Sequence, residues 1–355
     1  MFGVPQIQLF ITSRDLIPPL RRAFAKMDTG DPQDTVLVVD QDDTDSSYGG
    51  DLASETTSVT SSIYKFRLEH GRRYHGYKDG AYYAPNDEKA NETLDIGHHA
   101  YLLLLKKKLY LAPIRNPQKV LDVGTGTGIW AIDFAEEHPQ ATVIGTDLSP
   151  TQPTWVPPNV SFMIDDCTEY PWTYGKNSMD FIHVRDLFGC IPDWSEFLAQ
   201  CYETTKPGGY VQVANRAVWM ESDDNTIPAD EKHALNIWRR EFREVGERLG
   251  KTTTIMERQR EEMEKAGFVD VTETRLKMPL GSWPKDKALK EVGRFYYLEC
   301  LQGMDGWALA LLTRVMGWDM AEVQVLLAKF REAMADRSIH CYVPVSIVYG
   351  RKPTS

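Results

Sequence analysis

From Lys119 onward, short apolar runs alternate with segments whose apolar residues recur at helical spacing, the rhythm of a parallel sheet covered by helices on both faces. The pattern predicts strands over 119–123, 142–146, 160–164, 179–184 and 209–214. A helix near 128–138 sets Ile129, Ile132 and Ala135 on one face and stops at Pro139. Pro192-Asp193-Trp194 opens another, capped by Asp193; Lys206-Pro207-Gly208-Gly209 closes it and turns the chain into the fifth strand. Beyond Asn215 the rhythm changes. Residues 228–250 read as a long amphipathic helix with Leu235, Trp238, Phe242, Val245 and Leu249 on one stripe. Ala266 to Val271 turns into a sixth strand. Asp319, with Glu322 three residues on, caps a helix that aligns Val323, Leu326, Leu327, Phe330 and Met334. A last strand runs from Val345 to Tyr349, with Pro344 at its start because proline cannot donate within a central ladder. The expected fold is α/β, a doubly wound, mostly parallel seven-stranded sheet with helical insertions.

Upstream, a helix is predicted over 88–110, with Leu94, His98, Tyr101, Leu102 and Leu105 at helical spacing. Before it, residues 66–87 contain Tyr74, Tyr77, Tyr82 and Tyr83. Residues 28–62 are rich in Asp, Ser, Thr and Gly and have little apolar surface to offset ordering entropy, so they read as disordered. Residues 1–26 are broken by Asp15 and three prolines and read as a dispensable leader rather than a signal peptide.

Charge changes the picture in one place. The net charge is −11, and between Lys26 and Lys65 there are nine acidic residues and no Lys or Arg, so the rest of the chain is nearly neutral. It lacks the basic surface that phosphate-backbone binding needs, and direct nucleic-acid binding is not expected. The five cysteines are scattered, without a C-x-x-C pair, which fits a reducing compartment and neither a disulfide framework nor a zinc site. No apolar run reaches membrane-spanning length.

The chemistry centres on Lys119-Val-Leu-Asp-Val-Gly-Thr-Gly-Thr-Gly128, a strand running into three alternating glycines and then a helix. Nineteen residues beyond Gly128, the second strand ends at Asp147, placed to accept both hydroxyls of a ribose. Ile129 breaks the G-x-G-x-x-G spacing of a nicotinamide dinucleotide site. The G-x-G-x-G form, with Asp122 before it, resembles the cofactor loop of class I S-adenosylmethionine (SAM) methyltransferases. Gly124, Gly126 and Gly128 are read as letting the backbone approach the ligand, with the helix N-terminus facing the methionine carboxylate. Asp122 is expected to organise the loop through backbone N–H groups.

Each remaining candidate has a plainer reading beside it. Asp147 either binds the ribose or caps the next turn. Asp165-Asp166-Cys167 ends the third strand; Asp166 is favoured for the adenine amine with the Cys167 amide beside it, or either aspartate caps a following helix. His183 is either a base for the acceptor or a buried structural histidine. Arg185 pairs with a carboxylate of cofactor or protein, and Asn215 and Arg216 are further pocket candidates. Tyr77, with Tyr74 and Tyr82, either folds over the sulfonium or packs in the core. Thr125 and Leu148 complete the cofactor set. Trp219, Trp238, Trp283 and Trp307 lie where acceptor pockets are usually shaped. No metal cluster is recognised.

The likeness extends beyond the loop. Val120 to Gly128, Ile144-Gly145-Thr146-Asp147-Leu148-Ser149-Pro150 and Trp155-Val156-Pro157-Pro158-Asn159-Val160 resemble the fungal LaeA-like methyltransferases. So do Gly71-Arg72-Arg73-Tyr74-His75-Gly76-Tyr77-Lys78-Asp79-Gly80, Leu111-Ala112-Pro113-Ile114, Lys206-Pro207-Gly208-Gly209 and Tyr349-Gly350-Arg351-Lys352-Pro353. The resemblance implies a Rossmann-like SAM-binding domain and a role in fungal secondary metabolism. Some relatives methylate small molecules; others act as regulators within nuclear protein complexes. It implies SAM as cofactor, a small-molecule acceptor or else regulatory protein partners, and a cytoplasmic or nuclear location. The expected organisation is a leader over 1–63, a helical cap over 64–118, a SAM-binding core over 119–215, and acceptor-pocket helices with closing strands over 216–355.

Overall fold

The computed structural model describes residues 66–354 except Asp79, all within a compact unit spanning Leu52–Ser355. The expectations for residues 1–63 lie outside the described residues. The chain begins with a hairpin, β1 (Arg67–Glu69) and β2 (Arg72–Tyr74), turned by His70 and Gly71, both at positive φ. A strap then leads to α1 (Glu88–Leu104). Its cap, Asp87, accepts from the Ala90 amide and pairs bidentately with Arg72 at 2.6 and 2.8 Å. The helix stops short of residue 110 because Lys106 and Lys107 adopt positive φ.

The alternating section is β3 (Lys119–Val123), α2 (Ile129–Glu137), β4 (Thr142–Asp147), β5 (Val160–Ile164), β6 (Met179–Arg185), α3 (Trp194–Thr204) and β7 (Thr205–Arg216). Then come α4 (Ala234–Leu249), α5 (Gln259–Lys265), β8 (Val269–Pro279), α6 (Lys287–Ala310), α7 (Met320–Ala335) and β9 (Tyr342–Arg351). The seven-stranded sheet has the order β5-β4-β3-β6-β7-β9-β8, parallel except that β9 runs antiparallel to both neighbours. Reversal of direction on either side of β3 makes a crevice at the carboxyl ends of β3, β4 and β6.

Side-chain alternation distributes the core to both faces. Val120, Val143 and Phe181 pack under Trp130 and Phe134 of α2. Leu121, Val123, Ile182, Val184, Val211 and Val213 pack against Trp194, Phe197 and Leu198 of α3. A third cluster joins α1, α4, α6 and α7 to Val343, Val345 and Ile347. The cap box Asp319–Glu322 and the buried stripe of α7 are as expected.

Four expectations need correction. Residues 228–233 form a turn, held by Asn236 donating to the Pro228 and Asp230 carbonyls, so α4 starts only at Ala234. The fifth strand begins at Thr205, taking in Pro207 and both following glycines. Pro344 lies inside β9, opposite Lys277 and one residue beyond the last β7 partner, where its carbonyl accepts from Ala217. No helix follows Asp165-Asp166 before β6, so neither caps one.

Candidate active site

The loop after β3 holds Gly124, Gly126 and Gly128 at φ 69°, 59° and 79°, which strain any residue with a Cβ. A Cβ at Gly124 would meet Leu187 at 2.5 Å, and one at Gly128 would meet Phe162 at 2.3 Å. Both positions are thus crowded by the loop's own packing, while Gly124 and Gly126 also line the cleft. The amide of Thr125 bonds the Thr146 carbonyl, and α2 starts at Ile129 with no side-chain cap on its N-terminus. Asp122 organises the loop through side chains rather than through backbone amides. Its Oδ2 accepts from the Thr125 hydroxyl at 2.6 Å and its Oδ1 pairs with His183 Nδ1 at 2.7 Å.

His183 lies flat against Trp130, ring centroids 3.7 Å apart and 6° from parallel. Burial pushes its imidazole down, against the pull of Asp122. It is a buried, bonded and stacked histidine that also reaches the floor of the cleft.

Asp147 Oδ2 accepts from the Gly126 amide and Oδ1 from Ser149, each at 2.9 Å. Burial raises its carboxyl to about 6 against those two donors. A carboxylate has about four acceptor positions, so two N–H bonds leave capacity for two hydroxyls. Asp165 accepts from the Tyr174 hydroxyl at 2.8 Å. Asp166 closes a turn through the Thr168 amide and hydroxyl and takes Lys78 Nζ at 2.8 Å; Lys78 also pairs with Glu169. Burial would raise the Asp166 carboxyl, but Lys78 and Thr168 hold it below the ordinary range.

At the far end, Arg185 Nη1 lies 3.1 Å from His98 Nδ1, while His98 Nε2 lies 2.9 Å from Asp133. Burial pushes His98 down to about 4, so the neutral ring donates to Asp133 and accepts from Arg185. Asp186, at φ 53°, accepts from the Tyr101 hydroxyl and from Arg216, whose guanidinium also pairs with buried Glu299. A left-handed aspartate at a strand's carboxyl end is strained, and this network fixes it.

One cleft, partly open to solvent, joins these groups. It brings together Asp122, Gly124, Thr125, Gly126, Asp147, Leu148, Asp165, Asp166, Cys167, His183, Arg185 and Arg216. It does not take in Gly128, Asn215, Tyr77 or the four tryptophans. Asn215 turns away to Gln259, Tyr74 is buried beneath Arg314, and Tyr77 holds His75 through its carbonyl. Tyr82 is the tyrosine of the strap that does reach the cleft, with Ala81, Pro85 and Asn86. The sequence reading missed His98, Tyr101, Asp186 and Lys251 as cleft groups, and Lys78 as the partner of Asp166. His98 and Tyr101 carried a signal, one helical turn apart on α1; the others sit in loops without one.

Sheet order, glycine loop and the acid ending the second strand define the class: the chain belongs to the class I SAM-dependent methyltransferases. The family profile described as a methyltransferase domain matches residues 96–273. Within the class the chain is related to methyltransferase pytC of Aspergillus terreus, 38% identical over 310 residues, covering 85% of this chain and 93% of that one. It is also similar to the secondary metabolism regulator LAE1 of Cochliobolus heterostrophus, at 35% identity over 81% of this chain and 94% of that one. Among solved structures, SAM-bound Haemonchus contortus phosphoethanolamine N-methyltransferase 2 aligns with a TM-score of 0.44 and 15% identity, covering 86% of this chain and 74% of that one. No helix among the described residues is long and apolar enough to cross a membrane.

The groups present fit SAM. Asp147 is a half-buried carboxylate with unused acceptor capacity facing the cleft, and α2 presents an uncapped positive end beside it.

Proposed function

We infer that this chain methylates a small-molecule acceptor of the kind made in secondary metabolism. The observation that carries this reading is the strap: Ala81, Tyr82, Pro85 and Asn86 line the same cleft as the groups ending β6 and β7. A concave, partly aromatic cleft flanked in this way suits a compact molecule better than a segment of polypeptide. The relationship to pytC points the same way.

Bound SAM supplies a methyl group on a positively charged sulfur. In this reading Asp147 orients the ribose, Asp165, Asp166 and Cys167 surround the adenine, and Leu148 packs beside it. The Thr125–Gly126 segment, the α2 N-terminus and Arg185 receive the methionine carboxylate. His183 holds Asp122, and through it Thr125, rather than moving a proton. The strap excludes water and aligns donor with acceptor, which is most of what an in-line displacement needs. Comparing metabolites of a deletion strain with its parent tests the reading. An accumulating compound one methyl short of a parental product is the expected result; an unchanged methylation pattern with altered production of many unrelated products would replace it.

That second outcome corresponds to a regulator acting through protein partners. The relationship to LAE1 is the observation that favours it.

A further inference from the structure

We propose that the acceptor enters the cleft as an oxygen anion, a carboxylate, seated against Lys251, and leaves as its methyl ester. The proposal deepens the methyltransferase reading and rests on it.

Two independent features of the cleft carry it. The first is that two cations of the lining, Arg185 and Lys251, make no ion pair among the described residues. Lys78 is paired with Asp166 and Glu169, and Arg216 with Asp186 and Glu299. Arg185 and Lys251 line the same cleft, and among the described residues neither has a carboxylate partner. Arg185 has the neutral imidazole of His98; Lys251, half-buried after the left-handed Gly250 that ends α4, donates to the Ala81 carbonyl at 2.6 Å. An ammonium has three N–H donors, so two remain. SAM brings one carboxylate, assigned above to Arg185, and its sulfonium and ammonium leave it net positive. Lys251 is then a partly desolvated cation awaiting a counter-charge, which an anionic acceptor would supply.

The second feature is that each titratable group reaching the acceptor end is unsuited to removing a proton. His98 is tied between Asp133 and Arg185, and His183 lies between Trp130 and Asp122. Asp186 engages both oxygens with Arg216 and Tyr101. Burial raises the Cys190 thiol to about 12 and the Tyr82 and Tyr101 hydroxyls well above their ordinary range. A nucleophile that arrives already deprotonated needs none of them. The carboxylate oxygen donates a lone pair to the methyl carbon as the carbon–sulfur bond breaks with its electrons onto sulfur. The products are a neutral ester and a neutral thioether, and no proton moves.

The test uses full-length protein saturated with S-adenosylhomocysteine (SAH), titrated with 1-naphthoate and with 1-naphthamide, which differ in charge at nearly equal shape. Naphthoate should bind about tenfold more tightly than the amide, as a charge-assisted contact requires. At SAH concentrations that keep each protein saturated, Lys251→Met should erase that preference. Lys251→Gln, uncharged but still able to donate to the Ala81 carbonyl, should erase it too, and Lys251→Arg should keep it. Absence of a preference, whether both compounds bind or neither does, overturns the proposal, as does a preference that survives Lys251→Met. Failure of SAH itself to bind would instead overturn the cofactor assignment.

Discussion

Asp147 sits where charge and burial oppose each other, and that conflict has a sign that solution measurements can read. Burial raises its carboxyl to about 6, so the ligand-free fold favours the protonated form. Its contribution to stability is fully present below the ordinary carboxylate pKa and is lost as pH rises through about 6. In the proposed binding mode ligand binding runs the other way, because accepting two ribose hydroxyls would require the ionised group. SAH affinity should therefore be flat above pH 6 and fall by up to about tenfold per pH unit below it. Asp147→Ala should flatten that profile and cost about 1–3 kcal/mol of affinity at neutral pH. Calorimetry across this range, with both proteins, decides it; a wild-type profile that stays level would remove Asp147 from the site.

At the scale of elements, the strap between β2 and α1 lines the cleft through Ala81, Tyr82, Pro85 and Asn86. It is tied at Lys78 to Asp166 and Glu169, at Ala81 to Lys251, and at Asn86 to Ser149. Removing one tie should loosen closure more than it unfolds anything. Lys78→Met is expected to speed SAH dissociation by roughly 3- to 30-fold, the range that a half-buried ion pair of about 0.6–2 kcal/mol implies. Rapid-mixing measurement of the release rate checks it, and an unchanged rate would mean that the strap does not gate exchange. The strap is also where sequence reading had least to work with, since its ties are made between loops 63 to 170 residues apart. By contrast, β3, β4, β5 and β6 were legible because short runs with buried apolar residues recur between helical segments, most fully in the central β3 and β6. Helix α7 was legible from a clean period and a two-residue cap. Helix α6 was not, because its buried face carries Glu299, Gly293, Gly303 and Gly306 where large apolar residues would have marked the period. Gly293 is there for contact: a Cβ would lie 2.0 Å from the Gly281 carbonyl.

For the molecule as a whole, the cleft matters because no single segment builds it. The strap, the glycine loop, the ends of β4 and β6, the Asp165–Thr168 turn and the Lys251 loop all reach it. The segments that meet at the crevice are joined by a small number of direct contacts, such as Gly126 to Asp147, Asn86 to Ser149, Lys78 to Asp166 and Lys251 to Ala81. A ligand that bridges them should stabilise the whole unit rather than one loop, by linkage. At SAH a hundredfold above its dissociation constant the gain is about 2.7 kcal/mol, and the unfolding midpoint should rise by roughly 4 °C as one transition. Asp147→Ala should need proportionally more SAH for the same shift, whereas NADH, whose binding loop has a different glycine spacing, should give none. Thermal scans with each ligand separate the cases. A two-step melt in which SAH moves only one step would show that the cleft segments are not coupled into one cooperative body.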